Sequence, residues 1–238
     1  IKDIRGHFAL VIESKNLFFM SVDQISSIPL FYSQIGNVLS VSPNATTLRD
    51  KMSTGSILIN NQAVLEVTMS GCTLLQETMI DKLCRLDAGN YLYIEKDILD
   101  LNIVSYYKYW DDVFIKKKTD FDTTIREIFS KYIKYLNGRQ VIVPLSGGND
   151  SRLVVSMLRE FNYENVICFT FGKEGCFEHG IAKNVSSKLG YRWVPIYQTR
   201  KKVREYLGSQ EAKKYYQFSE TYSNPPGMLD IFAIKELV

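Results

Sequence analysis

The chain holds 238 residues, 45% of them hydrophobic and 23% charged, with 29 basic against 26 acidic side chains for a net charge of +3. That length implies one large or two modest domains of ordinary globular composition. So small a net charge does not by itself argue for a nucleic-acid partner; no apolar run approaches the roughly 18 residues of a membrane helix, and no basic, then apolar leader opens the chain. The cysteines Cys72, Cys84, Cys168 and Cys176 lack paired zinc spacing; three of them sit in or beside apolar stretches and read as reduced, buried thiols of a cytoplasmic protein. The first residue is Ile1 and the last, Val238, falls in a helix-like pattern, so the chain reads as an internal piece of a longer protein.

In chain order, Phe8 to Ile12 is nearly all apolar, Ser14-Lys15-Asn16 marks a turn, and Leu17 to Val22 is apolar again. That spacing predicts a β-hairpin buried on both faces. Pro29 to Tyr32 and Val38 to Val41 flank the turn signal Gly36-Asn37 and predict a second strand pair. Asn60 to Val67 reads as a short helix, and Leu92-Tyr93-Ile94 and Asn102 to Tyr107 as strands. Short strands parted by turns point to antiparallel, sandwich-like sheets. Asp111-Asp112 to Thr119, with Lys116-Lys117-Lys118, is poor in apolar residues and reads as a solvated linker between domains at 1–112 and 120–238.

From Phe121 the period changes. Phe121, Ile125, Ile128, Phe129, Tyr132 and Leu136 follow helical spacing and Asn137-Gly138 supplies a stop. Gln140 to Leu145 predicts a strand, Asp150 to Phe161 a helix, Val166 to Phe171 a strand, Phe177 to Leu189 a helix ended by Gly190, and Arg192 to Tyr197 a strand. This alternation predicts a parallel α/β sheet with right-handed crossovers, so the chain as a whole is α/β and α+β.

The chemistry concentrates in Ser146-Gly147-Gly148-Asn149-Asp150-Ser151, a Gly-rich turn between the first parallel strand and its helix. Free N–H groups at a helix start, aided by the helix dipole, make such a junction an anion site. Gly147 and Gly148 let the backbone approach closely, Ser146 and Ser151 offer hydroxyls, and Asp150 makes sense beside phosphates only as a ligand of Mg²⁺. Each hydrogen bond to a charged group is worth roughly 1.5–3 kcal/mol, enough for four or five to hold a pyrophosphate. The Walker A string, the Rossmann fingerprint and the serine-hydrolase elbow are all absent at this turn. A bare structural turn is the bland alternative, but paired glycines flanked by serines are costly to keep there without a ligand.

S-G-G-x-D-S after an apolar strand is the signature of the ATP pyrophosphatase family, whose members cleave ATP between its α and β phosphates and adenylate a substrate. Upstream, Gly6-His7-Phe8-Ala9-Leu10, Asp23 with Ile28-Pro29-Leu30-Phe31-Tyr32, Gly71-Cys72-Thr73-Leu74, Leu86 to Leu92, and Tyr109-Trp110 resemble, in order, the late part of a class II glutamine amidotransferase domain. The two together resemble the asparagine synthetase family. The resemblance implies an incomplete amidotransferase fold at 1–112, a pyrophosphatase-loop ATPase fold at 120–238, and a cytoplasmic ATP-dependent amide synthetase.

Residue by residue, the resemblance implies that Ser146, Gly147, Gly148, Asn149, Asp150 and Ser151 hold ATP and pyrophosphate. Pro144, Leu145, Phe171 and Gly172 would lie against adenosine, and Asp150 would hold Mg²⁺. ATP and Mg²⁺ are thus the implied cofactors. Aspartate or an analogue, with glutamine or ammonia, are the implied small-molecule partners; neither nucleic acid nor membrane is implied, and a homodimer is compatible. No catalytic residue is assigned: the family's N-terminal cysteine nucleophile has no counterpart here, because Cys72 and Cys84 are internal. Glu178 stands where the family often has an acidic residue, or is an ordinary helix-start carboxylate. Arg152 departs from the second serine common in asparagine synthetases, and pairs with a phosphate or with charge near Glu160. Cys176 and His179, one helical turn apart, would need two further ligands to hold a metal. Lys201, Lys202, Arg204, Lys213 and Lys214, interleaved with Tyr206, Tyr215 and Tyr216, read as a solvated helix face rather than a tRNA contact. Alternative readings are a non-catalytic nucleotide-binding or scaffold homologue, an asparagine-synthase-like amidotransferase of polysaccharide biosynthesis, and a tRNA-modifying enzyme.

Overall fold

In the computed structural model, which describes residues 1, 3–4, 6–52, 57–98, 100–108 and 120–237, the alternation of the first hundred residues becomes two antiparallel sheets. Strands β1 (Ala9–Glu13) and β2 (Leu17–Val22) form the expected hairpin, with Ala9 opposite Val22. Strands β3 (Phe31–Ile35) and β4 (Val38–Ser42) pair across a turn whose Gly36 takes φ +57°, the left-handed region that favours glycine. There follow helices α1 (Ala45–Met52) and α2 (Asn61–Ser70) and strands β5 (Cys84–Arg85), β6 (Asn90–Glu95) and β7 (Leu101–Ser105). The sheets run β1-β2-β6-β7 and β4-β3-β5. Met20, Val22, Leu92 and Ile94 of the first and Tyr32 of the second meet in one core with Leu30 and Leu86.

The hairpin is not buried on both faces. Strand β1 is a sheet edge, and Val11 and Ile12 are each 48% exposed. Helix α1 and strand β5 were not expected from the sequence. Asn44 Oδ1 accepts the Thr47 N–H at 2.8 Å at the start of α1, and Ala45 and Leu48 pack with Phe31, Ile80 and Leu83.

The chain divides into two compact units, Ile1–Phe114 with Lys213–Pro226, and Ile115–Ala212 with Gly227–Val238. Residues 213–226 are stitched into the first unit by backbone bonds: Met79 N–H donates to Tyr222 O and Thr73 N–H to Ser223 O, both at 2.8 Å. The expected linker with Lys116-Lys117-Lys118 and the Tyr109-Trp110 pair lie outside the described residues.

The second unit contains α3 (Phe121–Leu136), β8 (Val141–Pro144), α4 (Asn149–Glu160), β9 (Val166–Gly172), α5 (Phe177–Leu189), β10 (Arg192–Tyr197), α6 (Arg200–Leu207), the first residues of α7 (Gln210–Ser219), and α8 (Met228–Leu237). Helix α3 ends at Asn137, whose left-handed backbone donates its N–H to Ile133 O. The three strands pair parallel in the order β10-β9-β8, Val143 beside Cys168 and Val194 beside Phe169. Side chains alternate across β9. Val166 and Cys168 join Val143, Leu145, Val155 and Leu158 in one core, while Phe169 joins Ile196, Tyr206, Phe232 and Ala233 in another. Helices therefore cover both faces, as a parallel sheet requires. Among the described residues no helix is long and apolar enough to cross a membrane.

Candidate functional site

Residues 141–160 fold as strand, turn and helix. Leu145 anchors the turn. It is 1% exposed, its N–H donates to Phe169 O at 2.8 Å, and its carbonyl accepts the Thr170 hydroxyl at 2.6 Å. Trp193 Nε1 in turn donates to Thr170 Oγ1 at 3.0 Å. Leu145 thus spends both backbone groups on β9 and serves the site as its fixed point.

Beyond it, the two serines close the loop on itself. The hydroxyls of Ser146 and Ser151 lie 3.0 Å apart; Ser146 N–H donates to Ser151 Oγ and Gly148 N–H to Ser146 Oγ, each at 3.1 Å. Two of the loop amides expected to face an anion are therefore bonded within the loop. Gly148 caps α4 with φ −73° and ψ 161° and no side-chain hydrogen bond. Among the described residues the N–H groups of Gly147, Asn149 and Asp150 have no protein acceptor. They form an unspent donor set at the positive end of a 12-residue helix.

Helix α5 brings the loop and the end of β9 together. A Cβ on Gly147 would stand 3.1 Å from Ile181 Cδ1, 3.4 Å from Phe177 Cε2 and 3.9 Å from Glu178 Cγ. One on Gly172 would stand 3.3 Å from Cys176 Sγ and 3.9 Å from His179 Nε2. The start of α5 thus borders both segments singled out from the sequence, the loop and Phe171-Gly172. Phe177, 75% exposed, presents an aromatic face beside the loop. Glu178 stands over Gly147, within the first turn of α5.

Arg152 turns toward the loop. Its Nε donates to Gly148 O at 3.1 Å and its Nη2 to Asn149 Oδ1, whereas Glu160 pairs with Arg126. A cation therefore rests against the N-terminus of α4. Asp150 is exposed in the first turn of that helix. Among the described residues no three His, Cys, Asp or Glu side chains gather to hold a metal, Cys176 and His179 included. Mg²⁺ nevertheless fits the donors present, because it takes one or two carboxylates and fills its remaining positions with phosphate oxygens and water. Asp150 and Glu178 are the carboxylates at the loop.

The cysteines are free but not uniformly buried. Cys168 is buried, Cys84 and Cys176 are half-buried rather than fully buried, and Cys72 is exposed. Burial pushes the Cys168 thiol up to about 11, far from the thiolate a nucleophile requires. Sequence alone did not single out His179 as a core residue or Gln198 at all. His179, 7% exposed, lies edge-on to Trp193 and Tyr197 with its Nε2 unpaired. Gln198 donates its backbone N–H to Gly172 O at 2.8 Å, and its buried side-chain Nε2 has no acceptor. Both placements depend on contacts between β9, α5 and β10 that no local pattern encodes. No family model matches the chain, and no curated protein matches it.

Proposed function

We propose that the chain is part of an ATP-dependent amide synthetase of the asparagine synthase type, in which a substrate carboxylate attacks the α phosphate of ATP. The carboxylate oxygen bonds to the α phosphorus, the α–β bridge breaks, and pyrophosphate leaves. Ammonia then attacks the acyl carbon and AMP departs with its bridging oxygen. One observation supports this most: the unspent amides of Gly147, Asn149 and Asp150 at the start of α4, on the C-terminal edge of a parallel sheet, where ligands of open α/β sheets bind. The loop stabilises charge that builds on the leaving pyrophosphate, and Arg152 adds a cation beside it. Pro144, Phe171 and Gly172 lie at the strand ends where adenosine would rest, and Leu145 fixes the loop beneath. Mg²⁺, when bound, offsets phosphate charge, with Asp150 and Glu178 as its protein carboxylates. Under this reading residues 1–112 are the amidotransferase-like part and residues 120–238 the pyrophosphatase-loop part of a cytoplasmic protein, with residues 213–226 of the latter lying in the first compact unit.

The internal bonding of Ser146 with Ser151 favours a second reading, a non-catalytic nucleotide-binding homologue whose loop stays closed. The expected result separating them is aspartate-dependent ATP–pyrophosphate exchange that Asp150→Ala reduces at least 100-fold. Exchange unaffected by Asp150→Ala contradicts the synthetase, and pyrophosphate binding with no exchange for any carboxylate supports the homologue.

A further inference from the structure

Helix α3 of the second unit carries an apolar face that its own unit leaves largely open. At 3.6 residues per turn Phe121, Ile128, Tyr132 and Tyr135 fall within about 60° of one another around the axis, and all four are between 40% and 72% exposed. Arg139 lies 4.9 Å from the centre of the Tyr135 ring and shields one side of it, yet that residue is the most exposed of the four. The half-buried Ile125, Phe129, Ile133 and Leu136 fall to one side of this stripe, and Ile133 and Leu136 pack against the core that holds Val155 and Leu158. Helix α3 is thus apolar over two adjacent faces, and the fold of its unit uses one. A helix with a single buried face carries polar residues on the rest of its surface.

The other side of the stripe is charged, and its charges are sorted by sign. Asp120 and Glu127 lie toward the start of the helix, Lys131 and Lys134 toward its end. Glu127 and Lys131 stand one turn apart, yet among the described residues neither they nor Lys134 enter an ion pair; Arg126 takes Asp122 and Glu160. Asp120 accepts the Thr123 hydroxyl and the Asp122 N–H, bonds that keep its negative charge in place. This order is self-complementary. Two such helices laid antiparallel about a twofold axis at Ile128 set Phe121 of each copy against Tyr135 of the other, and Ile128 against itself. Along the flank, Glu127 of each copy meets Lys131 of the other, and Asp120 meets Lys134. A parallel pairing would instead bring like charges together on that flank.

We infer that the occupant of this face is a second copy of the chain, docked antiparallel along α3. Area sets the strength of the pair. A covered aromatic contributes about 150–250 Å², so the exposed parts of Phe121, Tyr132 and Tyr135 offer roughly 300–500 Å² per copy. With Ile128 and the lysine stems the pair buries about 1,000 Å² in all, the lower limit of a specific interface, which corresponds to a dissociation constant on the order of 10–100 µM. The flanking charges fix the orientation more than they add affinity. None of these residues belongs to the Ser146–Ser151 loop, so the inference holds whether or not that loop takes pyrophosphate.

The test is sedimentation velocity on the intact chain over roughly 1–300 µM, a range that brackets that constant. A reversible monomer–dimer equilibrium is expected. Ile128→Glu sets two carboxylates at the axis and should weaken the dimer at least tenfold. Its melting temperature, taken at about 1 µM where the parent is monomeric, should be unchanged. Glu127→Lys alone and Lys131→Glu alone should each weaken the dimer at least threefold, whereas an equimolar mixture of the two should associate as tightly as the parent. That pair decides the matter should Ile128→Glu unfold. The inference is overturned if the chain stays monomeric throughout or assembles beyond a dimer, if Ile128→Glu folds and associates as the parent does, or if the mixture associates no more tightly than its components.

Discussion

Asp23 illustrates how much one carboxylate can organise. It is 2% exposed and accepts N–H groups from Phe8 at 3.0 Å, Ile25 at 3.0 Å and Ser27 at 3.2 Å, as well as the Ser27 hydroxyl. Burial pushes its carboxyl up, but the bonds from Ser27, Ile25 and Phe8 outweigh it and hold the group below its ordinary value of 3.8. A group whose pKa is depressed by folding contributes stability above its unfolded value, and that contribution fades as pH falls through the lower folded one. The first unit should therefore lose stability below about pH 4, and Asp23→Asn should flatten that dependence while costing about 1–3 kcal/mol at neutral pH. Urea unfolding at several pH values checks it; equal acid slopes for parent and variant would contradict the role. Gly147 poses the opposite constraint, a missing atom. A methyl there would stand tightly against the Ile181 Cδ1 methyl at 3.1 Å, so Gly147→Ala should lower stability by about 1 kcal/mol unless Ile181 shifts. Thermal unfolding of Gly147→Ala, alone and with Ile181→Ala to make room, measures it, and partial rescue by the second change is expected.

Elements were legible where their period was strong. The spacing of Phe121 to Leu136 and the Asn137-Gly138 stop give α3, and the Gly36-Asn37 turn gives the β3–β4 pair. Helix α1 escaped because Ala45 to Met52 buries only Ala45 and Leu48, and Thr46 and Thr47 are poor helix formers. Strand β5, two residues long, has no period to detect. The site loop was legible as a string of residues, but its internal closure was not: the Ser146–Ser151 bond and the α5 side chains against Gly147 arise from tertiary folding. At this scale the cap of α2 offers a clean test. Asn60 Oδ1 accepts the N–H groups of Gln62 and Ala63 at 3.1 and 3.2 Å, so Asn60→Ala should lower stability by about 1 kcal/mol and Asn60→Asp by much less. Equal losses from the two changes, read from urea midpoints, would contradict the cap.

Across the whole molecule, a boundary read from composition can only divide the chain once. The segment 213–226 instead belongs with the first unit, through hydrogen bonds to Thr73 and Met79 and through Tyr222, which packs against its core while Arg49 lies 5.5 Å above the ring. Local composition carries no trace of such a return. Tyr222→Ala should cost the first unit about 2–3 kcal/mol, below the range for a fully buried aromatic, and release the Met79 and Thr73 amides to hydrogen exchange. Unchanged protection of both would contradict it. The proposed function rests on the start of α4, and the most direct measurement is an amide-resolved NMR titration with Mg²⁺-pyrophosphate. Saturable shifts centred on Gly147, Gly148, Asn149 and Asp150 are the expected result; a titration that leaves these four amides in place would contradict the central claim.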